Sequence, residues 1–199
     1  MLKKLKMKTN EITRKILHLS SSIYPLIYWF FFDKQQMTLI IGWLFCALFI
    51  FDHQRTKNDK FNAIVKRFCG FMMRESEFKS ISSATYFVLG CFLAICIASK
   101  KIAITAMFVL ILSDTMASFV GMNFGKIKLI DKKTLEGSVA FFVSTCIISI
   151  VSSSFFDLPL QHFYLSIIFS TFAEMFNKKI KIDDNLLIPV IYALSYAVF

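Results

Sequence analysis

The sequence predicts an all-α fold: a polytopic integral membrane helical bundle of about seven transmembrane helices, with its N-terminus in the cytoplasm. Three observations carry that expectation. Hydrophobic residues fill 56% of the 199 positions, 24 of them Phe, and the mean hydropathy is +0.62, which is too apolar for an ordinary soluble domain. The apolar runs approach the ~30 Å hydrocarbon core at about 1.5 Å per helical residue. If those runs alternate across a bilayer, every Lys and Arg except Lys34, Lys100 and Lys101 falls on one side, the side that positive residues mark as cytoplasmic.

The elements follow in order. The first span covers 16–32 and contains Pro25, which bundled membrane helices tolerate. The second, 38–51, is short, so crossing and re-entrant forms both stand. Between 60 and 77, Phe61, Ile64, Val65, Phe68, Phe71 and Met72 share one helical face while Lys66, Arg67 and Arg74 lie elsewhere. That is the pattern of a helix lying in the membrane interface, as an anchor or as a substrate gate. A small, hydroxyl-rich stretch, Ser80 to Tyr86, enters the third span, 84–99. The fourth span is 102–122, the fifth 138–156, the sixth 160–176 and the seventh 186–199, the last again short and holding Pro189.

No repeat or low-complexity linker interrupts the chain, so residues 1–199 read as one membrane-embedded domain. The basic N-terminus leads into a long apolar span without a small-residue cleavage site, unlike a cleaved signal peptide. The five cysteines show no CxxC and no spacing to His, which points away from a disulfide framework and from zinc. The net charge of +10 belongs to one membrane face, where anionic headgroups or a nucleotide meet it; nucleic acid is not an expected partner.

The most informative segment begins at Ser113. Asp114 lies in the cytoplasmic half of the fourth span, a turn or two from the loop, and a carboxylate in hydrocarbon is expensive unless paired or functional. Ser113, Ala117, Gly121 and Gly125 recur at helical spacing as a small-residue strip for close approach. Lys126, Lys128, Lys132 and Lys133 then supply charges suited to phosphate oxygens. Thr134, Gly137 and Ser138 open the fifth span, whose free N–H groups also favour an anion. A Walker A loop is excluded: three residues, not four, separate Gly121 from Gly125, and Ile127 follows Lys126.

A second acidic group, Glu174 with Asp183, Asp184 and Asn185, opens the last span. Its oxygens suit Mg²⁺ arriving with a nucleotide, and equally suit helix capping. Near the N-terminus, Arg14, Lys15 and His18 lead into the first span.

Four pieces in order then carry a resemblance: Arg14-Lys15-Ile-Leu-His18, the Asp114-x-x-Ala117-x-x-x-Gly121-x-x-x-Gly125-Lys126 run, Lys133-Thr134-Leu-Glu136-Gly137-Ser138, and Asp183-Asp184-Asn185-Leu-Leu-Ile-Pro189. Together they resemble the dolichol kinase/phytol kinase family of polyprenol kinases, which includes CTP-dependent diacylglycerol kinases. One departure is the serine run Ser20 to Ser22, where the family pattern has a glycine after the histidine.

The resemblance implies a multi-pass phosphotransferase with a cytoplasmic active site, in the inner or plasma membrane if bacterial. It would move the γ-phosphate of CTP to a lipid alcohol, phytol- or dolichol-like or diacylglycerol, which arrives from the bilayer while the nucleotide arrives from water. Lys126, Lys128, Lys132 and Lys133 would hold the triphosphate with amides near Gly121, Gly125 and Gly137. Arg14, Lys15, His18, Asn123, Thr134 and Ser138 would complete the nucleotide site. Asp114 and Asp184, supported by Asp183 and Glu174, would hold Mg²⁺. Catalysis would rest on Asp114, Glu136 and Lys133, with Glu136 or Asp114 as base. The alternatives are a phosphatidate cytidylyltransferase, whose Lys-Asp, His-Gly-Gly and Asp-Arg signature has no match here, and a non-enzymatic membrane carrier. Oligomeric state stays open.

Overall fold

The structure is a computed structural model that describes residues 13–130 and 133–198. Among these the secondary structure is helical, with a single isolated bridge between Lys128 and Thr134.

The chain starts with helical residues 13–20 (α1), turns at 21–22 and resumes as α2, Ile23–Phe31. The expected first span is therefore two pieces. Its cause is local: Ser20 Oγ donates to the Leu17 carbonyl at 2.7 Å, and such back-bonding competes with the helical ladder. Helix α3, Lys34–Lys57, is longer than the expected 38–51 because an Asp33–Gln36 capping box starts it early and charged residues continue it. At about 36 Å it is long enough to cross a bilayer. Helix α4, Asp59–Cys69, ends well before Glu77; a short 3₁₀ turn, Glu75–Lys79, follows.

Ser82 caps α5, Ser83–Ile97, and α6 then runs unbroken from Lys100 to Phe124. Within α6, Val109–Ser113 form a π turn. Helix α7 is Leu135–Phe156, α8 Phe163–Ile180 and α9 Asp184–Val198. Among the described residues three helices are long and apolar enough to cross a membrane: α3, α6 and α7. Helices α5 and α9 are shorter apolar helices.

Packing is inside-out relative to a water-soluble bundle. Phe31, Trp43 and Phe155 face outward, while Ser149, Ser166, Ser170, Glu174, Asn177 and Tyr192 are buried. Outward aromatics and inward hydroxyls suit a hydrocarbon solvent. The first half of α6, from Ile102 to Leu110, forms the centre of the core. Gly90 admits α9 closely: a Cβ there would stand 2.3 Å from the Asn185 carbonyl and 2.9 Å from Pro189 Cγ.

The bundle has two chemically distinct ends. At one, Lys34 donates to the Ala98 carbonyl (2.8 Å), Lys100 to that of Phe32 (2.7 Å) and Lys101 to that of Phe156 (2.8 Å). Each lysine thus satisfies carbonyls at or just beyond a helix C-terminus, where both hydrogen bonding and the helix dipole favour a cation. These are the three lysines that the charge pattern set apart.

At the other end, a buried knot ties α3, α4 and α5 together. Asp52 Oδ2 accepts from Ser82 N and Oγ (2.8 Å each) and from Thr85 Oγ1 at 2.7 Å. Its Oδ1 accepts from Arg55 Nη2 at 2.8 Å, and Arg55 donates on to the carbonyls of Glu77 (2.9 Å) and Ser80 (2.8 Å). From this knot α4 extends with Ile64 and Phe68 exposed, and Phe71 exposed in the turn beyond it, the apolar face expected of an interfacial helix, while Val65 is buried and the Phe61 ring packs against Phe51.

Arg55→Met strands Asp52 as a buried charge, an error of about 3–5 kcal/mol. A thermal melt in detergent should show a large drop for the single variant and partial recovery on adding Asp52→Leu. Equal melting of wild type and Arg55→Met would contradict the structural role.

Candidate functional site

The polar end opposite the three capping lysines gathers most of the residues singled out in the sequence. Asp114 lies deeper than expected. Helix α6 continues to Phe124, ten residues on, placing the carboxylate about 15 Å from the helix end. It is 6% exposed, so a partner is obligatory. That partner is Lys15, whose ammonium forms an ion pair with Asp114 Oδ2. His18 Nε2 stands 3.9 Å from the same oxygen and donates to the Leu110 carbonyl at 3.3 Å, which assigns the proton to Nε2. Lys15, with His18 beside it, and the buried carboxylate 99 residues beyond Lys15 are one unit.

A second unit forms around Lys133. Its ammonium pairs with Glu174 Oε1 and lies 3.7 Å from Asp184 Oδ2. Glu174 is 1% exposed, and its other oxygen accepts from Ser138 Oγ at 3.0 Å. Burial works against the Lys133 charge, but Glu174, Asp184 and Asp114 outweigh it and raise its pKa above the ordinary lysine value. The interaction with Asp114 joins the two units electrostatically. One lysine therefore joins carboxylates from α8 and α9, within electrostatic reach of the one on α6.

Asp183 and Asn185 close the start of α9: Asp183 Oδ1 accepts from Asn185 N (3.1 Å) and Nδ2 (2.8 Å). Burial and the neighbouring Asp184 charge push the Asp183 carboxyl up to about 6, with Arg74 acting in the opposite sense. The capping reading thus holds for one oxygen of Asp183. Among the described residues no three His, Cys, Asp or Glu side chains converge as metal ligands.

The glycines serve the crossing of α6 and α7. A Cβ at Gly137 would stand 2.9 Å from the Ala117 carbonyl oxygen, and one at Gly121 3.0 Å from Thr134 Oγ1. Thr134 caps α7 by accepting from Gly137 N at 3.2 Å, and Gly125 N donates to the Gly121 carbonyl at 3.2 Å. The amides of Gly125 and Gly137 therefore already have intramolecular partners, and Gly121 lies within the helical ladder of α6. Gly137→Ala should wedge α6 from α7, lowering the detergent melting temperature and any turnover together. Unchanged melting would show that the crossing relaxes freely.

Past the crossing, Gly125 to Lys128 form an exposed loop. Asn123, Phe124, Gly125, Lys126 and Glu136 line an open recess, and both Glu136 oxygens accept from Ile127 N (3.2 and 3.3 Å). Glu136 thus holds the lysine loop and is not gathered with Asp114 and Lys133. Asn123 is also exposed, its amide donating to the Phe119 carbonyl at 2.8 Å. Lys132 lies outside the described residues, and Arg14 is partly buried.

Several buried polar residues escaped the sequence reading. Thr145 Oγ1 donates to Ser113 Oγ at 3.0 Å, and Ser149 bonds to Tyr192 at 2.6 Å. The signal was present: Ser138, Thr145, Ser149 and Ser152 recur on one face of an apolar run.

Fold and site define a class: a helical protein with three helices long and apolar enough to cross a membrane, lysine-paired carboxylates buried at one end and exposed lysines in the loop that follows α6. The chain belongs to the cytidylyltransferase family, whose model matches residues 2–178. It is 33% identical over 196 residues to an uncharacterised protein of Rickettsia prowazekii, covering 95% of this chain and 94% of that one. It is 30% identical over 143 residues to a CTP-dependent diacylglycerol kinase of Saccharomyces cerevisiae, covering 69% of this chain and 49% of the yeast protein. A CTP-dependent diacylglycerol kinase of Schizosaccharomyces pombe is 29% identical over 205 residues, covering 94% of this chain and 92% of the relative. This chain thus spans about half of the first yeast protein and nearly all of the second. No solved structure matches it.

Proposed function

We propose that this chain is a CTP-dependent lipid-alcohol kinase. It transfers the γ-phosphate of CTP to the hydroxyl of a bilayer lipid, with diacylglycerol the acceptor favoured by the relatives and a polyprenol such as phytol or dolichol the other candidate. One observation carries the reading: Lys133 draws Glu174 and Asp184 together within electrostatic reach of the buried Asp114. Phosphoryl transfer asks a protein mainly for positioning and charge neutralisation, and this arrangement offers both.

The roles follow from depth. Lys126 and Lys128, exposed at the loop, meet the triphosphate from water, joined by Lys132, and Lys133 takes the transferring phosphoryl group. Asp114, beneath them in the helix, accepts the hydrogen bond of the lipid hydroxyl and then its proton. Lys15 stabilises the Asp114 carboxylate in its apolar surroundings. Glu136 keeps the loop folded, so Asp114 is the better base. Glu174, with both oxygens engaged, holds Lys133.

Mg²⁺ fits this donor set, because it is commonly bound through one or two carboxylates together with substrate phosphates and water. Asp184, with Asp183 beside it, would hold it, and the cation would neutralise charge on the phosphates. Seven crossings, a cytoplasmic N-terminus and a single domain over 1–199 complete the proposal. They are supported by the segregation of the three capping lysines from the site.

A second reading is favoured by the family description itself, which names nucleotidyl transfer. Purified protein incubated with Mg²⁺, diacylglycerol or phytol, and CTP labelled at the α or γ phosphate separates the two. Label reaching lipid from the γ position alone supports the kinase. Label from the α position, with phosphatidate as acceptor, replaces it with a cytidylyltransferase. Absence of transfer together with absence of CTP binding leaves a carrier.

A further inference from the structure

Helix α6 has to satisfy two different neighbourhoods. Its first half is buried nearly all round, from Ile102 through Ile111, and its register there is fixed by core packing. Its second half buries a narrow strip, Ser113, Asp114 and Ala117, and keeps Gly121 against α7. The π turn Val109–Ser113 lies at the junction. Such a turn bonds i to i+5 and accommodates one residue more than an α turn. Removing that residue would rotate everything beyond it by about 100°, one position of a 3.6-residue helix. Asp114 would then leave Lys15.

A π turn also disturbs the regular pairing of its carbonyls. The Leu110 carbonyl, inside this one, accepts from His18 Nε2 at 3.3 Å. The imidazole also makes an edge-on contact with the Phe87 ring, centroids 5.6 Å apart. At the end of the turn, Ser113 Oγ accepts from Thr145 Oγ1 at 3.0 Å. The distorted segment is therefore gripped from α1 and from α7.

We propose that His18 is a positioning residue: by donating to the Leu110 carbonyl it holds open the π turn that aims Asp114 at Lys15 and at the reacting hydroxyl, and it does not touch the nucleotide. The catalytic part of this inference rests on the kinase reading, whereas the hydrogen-bond latch does not.

Two measurements test it. In the first, ¹⁵N-histidine labelling gives three sites, and the His18 signals are assigned by their loss in His18→Gln. The latch requires a protonated Nε2. A His18 ring protonated only at Nδ1 cannot donate to Leu110 and overturns the proposal, whatever reaction the protein performs.

The second uses transfer kinetics with CTP. Glutamine places an N–H donor near the Nε2 position and asparagine near Nδ1, so His18→Gln should stay within about threefold of wild type. His18→Asn and His18→Ala should lose about 100-fold in kcat, the scale of a 1 Å misplacement, with the KM for CTP unchanged. A raised KM for CTP in all three variants would make His18 a nucleotide contact. Loss of kcat in His18→Gln as deep as in His18→Ala would make it a proton-transfer group. Either result overturns the latch. A wild-type protein that transfers no phosphate removes the kinase reading while the labelling result still judges the hydrogen bond.

Discussion

Asp114→Asn should lower γ-phosphate transfer by about 10²–10⁴-fold, the range expected when a positioned base is removed. The substitution keeps the shape of the side chain and removes its charge. Lys15, which pairs with Asp114 beside the apolar core, then loses its counter-ion. A stranded buried charge costs about 3–5 kcal/mol, so the melting temperature should fall as well. Because instability alone would lower activity, the decisive protein is Asp114→Asn combined with Lys15→Met. With neither charge present, the pair should regain most of the lost thermal stability and none of the lost transfer. Recovery of both would show that Asp114 serves folding only. Transfer within tenfold of wild type in Asp114→Asn would remove it from the chemistry.

Lys133→Met should be nearly as severe, by another route. Lys133 is the cation shared by Glu174 and Asp184, and the proposed contact to the transferring phosphoryl group. Loss of one preorganised donor to developing charge costs about 10²–10³ in kcat. Glu174, at 1% exposure, would keep only its bond from Ser138. Adding Glu174→Gln should restore the melt but not the turnover. Direct CTP binding to Lys133→Met supplies the control: binding and turnover as strong as in wild type would assign Lys133 to structure alone.

Much of the helical layout was legible because apolar length and helix caps are local properties. Asp33 with Gln36, Asn58, Ser82 and Thr134 all start helices where their side chains can accept. The break at residues 21–22 also had its mark in three consecutive serines, noted in the sequence only as a departure from a motif. Helix α3 was read too short because Asp52 and Arg55 look like the charged edge of a membrane span. They are instead buried in a network whose other members lie around 77–85, and no local pattern reveals that closure.

The site was legible as a list and not as pairs. Lys15, Asp114, Lys133, Glu174 and Asp184 each stood out, but the pairing of Lys15 with Asp114 and of Lys133 with Glu174 depends on which helices become neighbours. The π turn left no trace either, since residues 102–112 contain a single polar side chain, Thr105, whose position could betray a change of phase. Glu136 shows the same dependence on neighbours. Adjacent to the lysines in sequence, it is turned by the start of α7 toward the loop backbone.

The three lysines at the far end act as rivets. Through Lys34, Lys100 and Lys101, five helices (α2, α3, α5, α6 and α7) are joined head to tail where their turns are shortest. Removing a rivet, as in Lys100→Met, frees the Trp29 and Phe32 carbonyls and should loosen α2 from α6, lowering the detergent melting temperature without reaching the proposed chemistry directly.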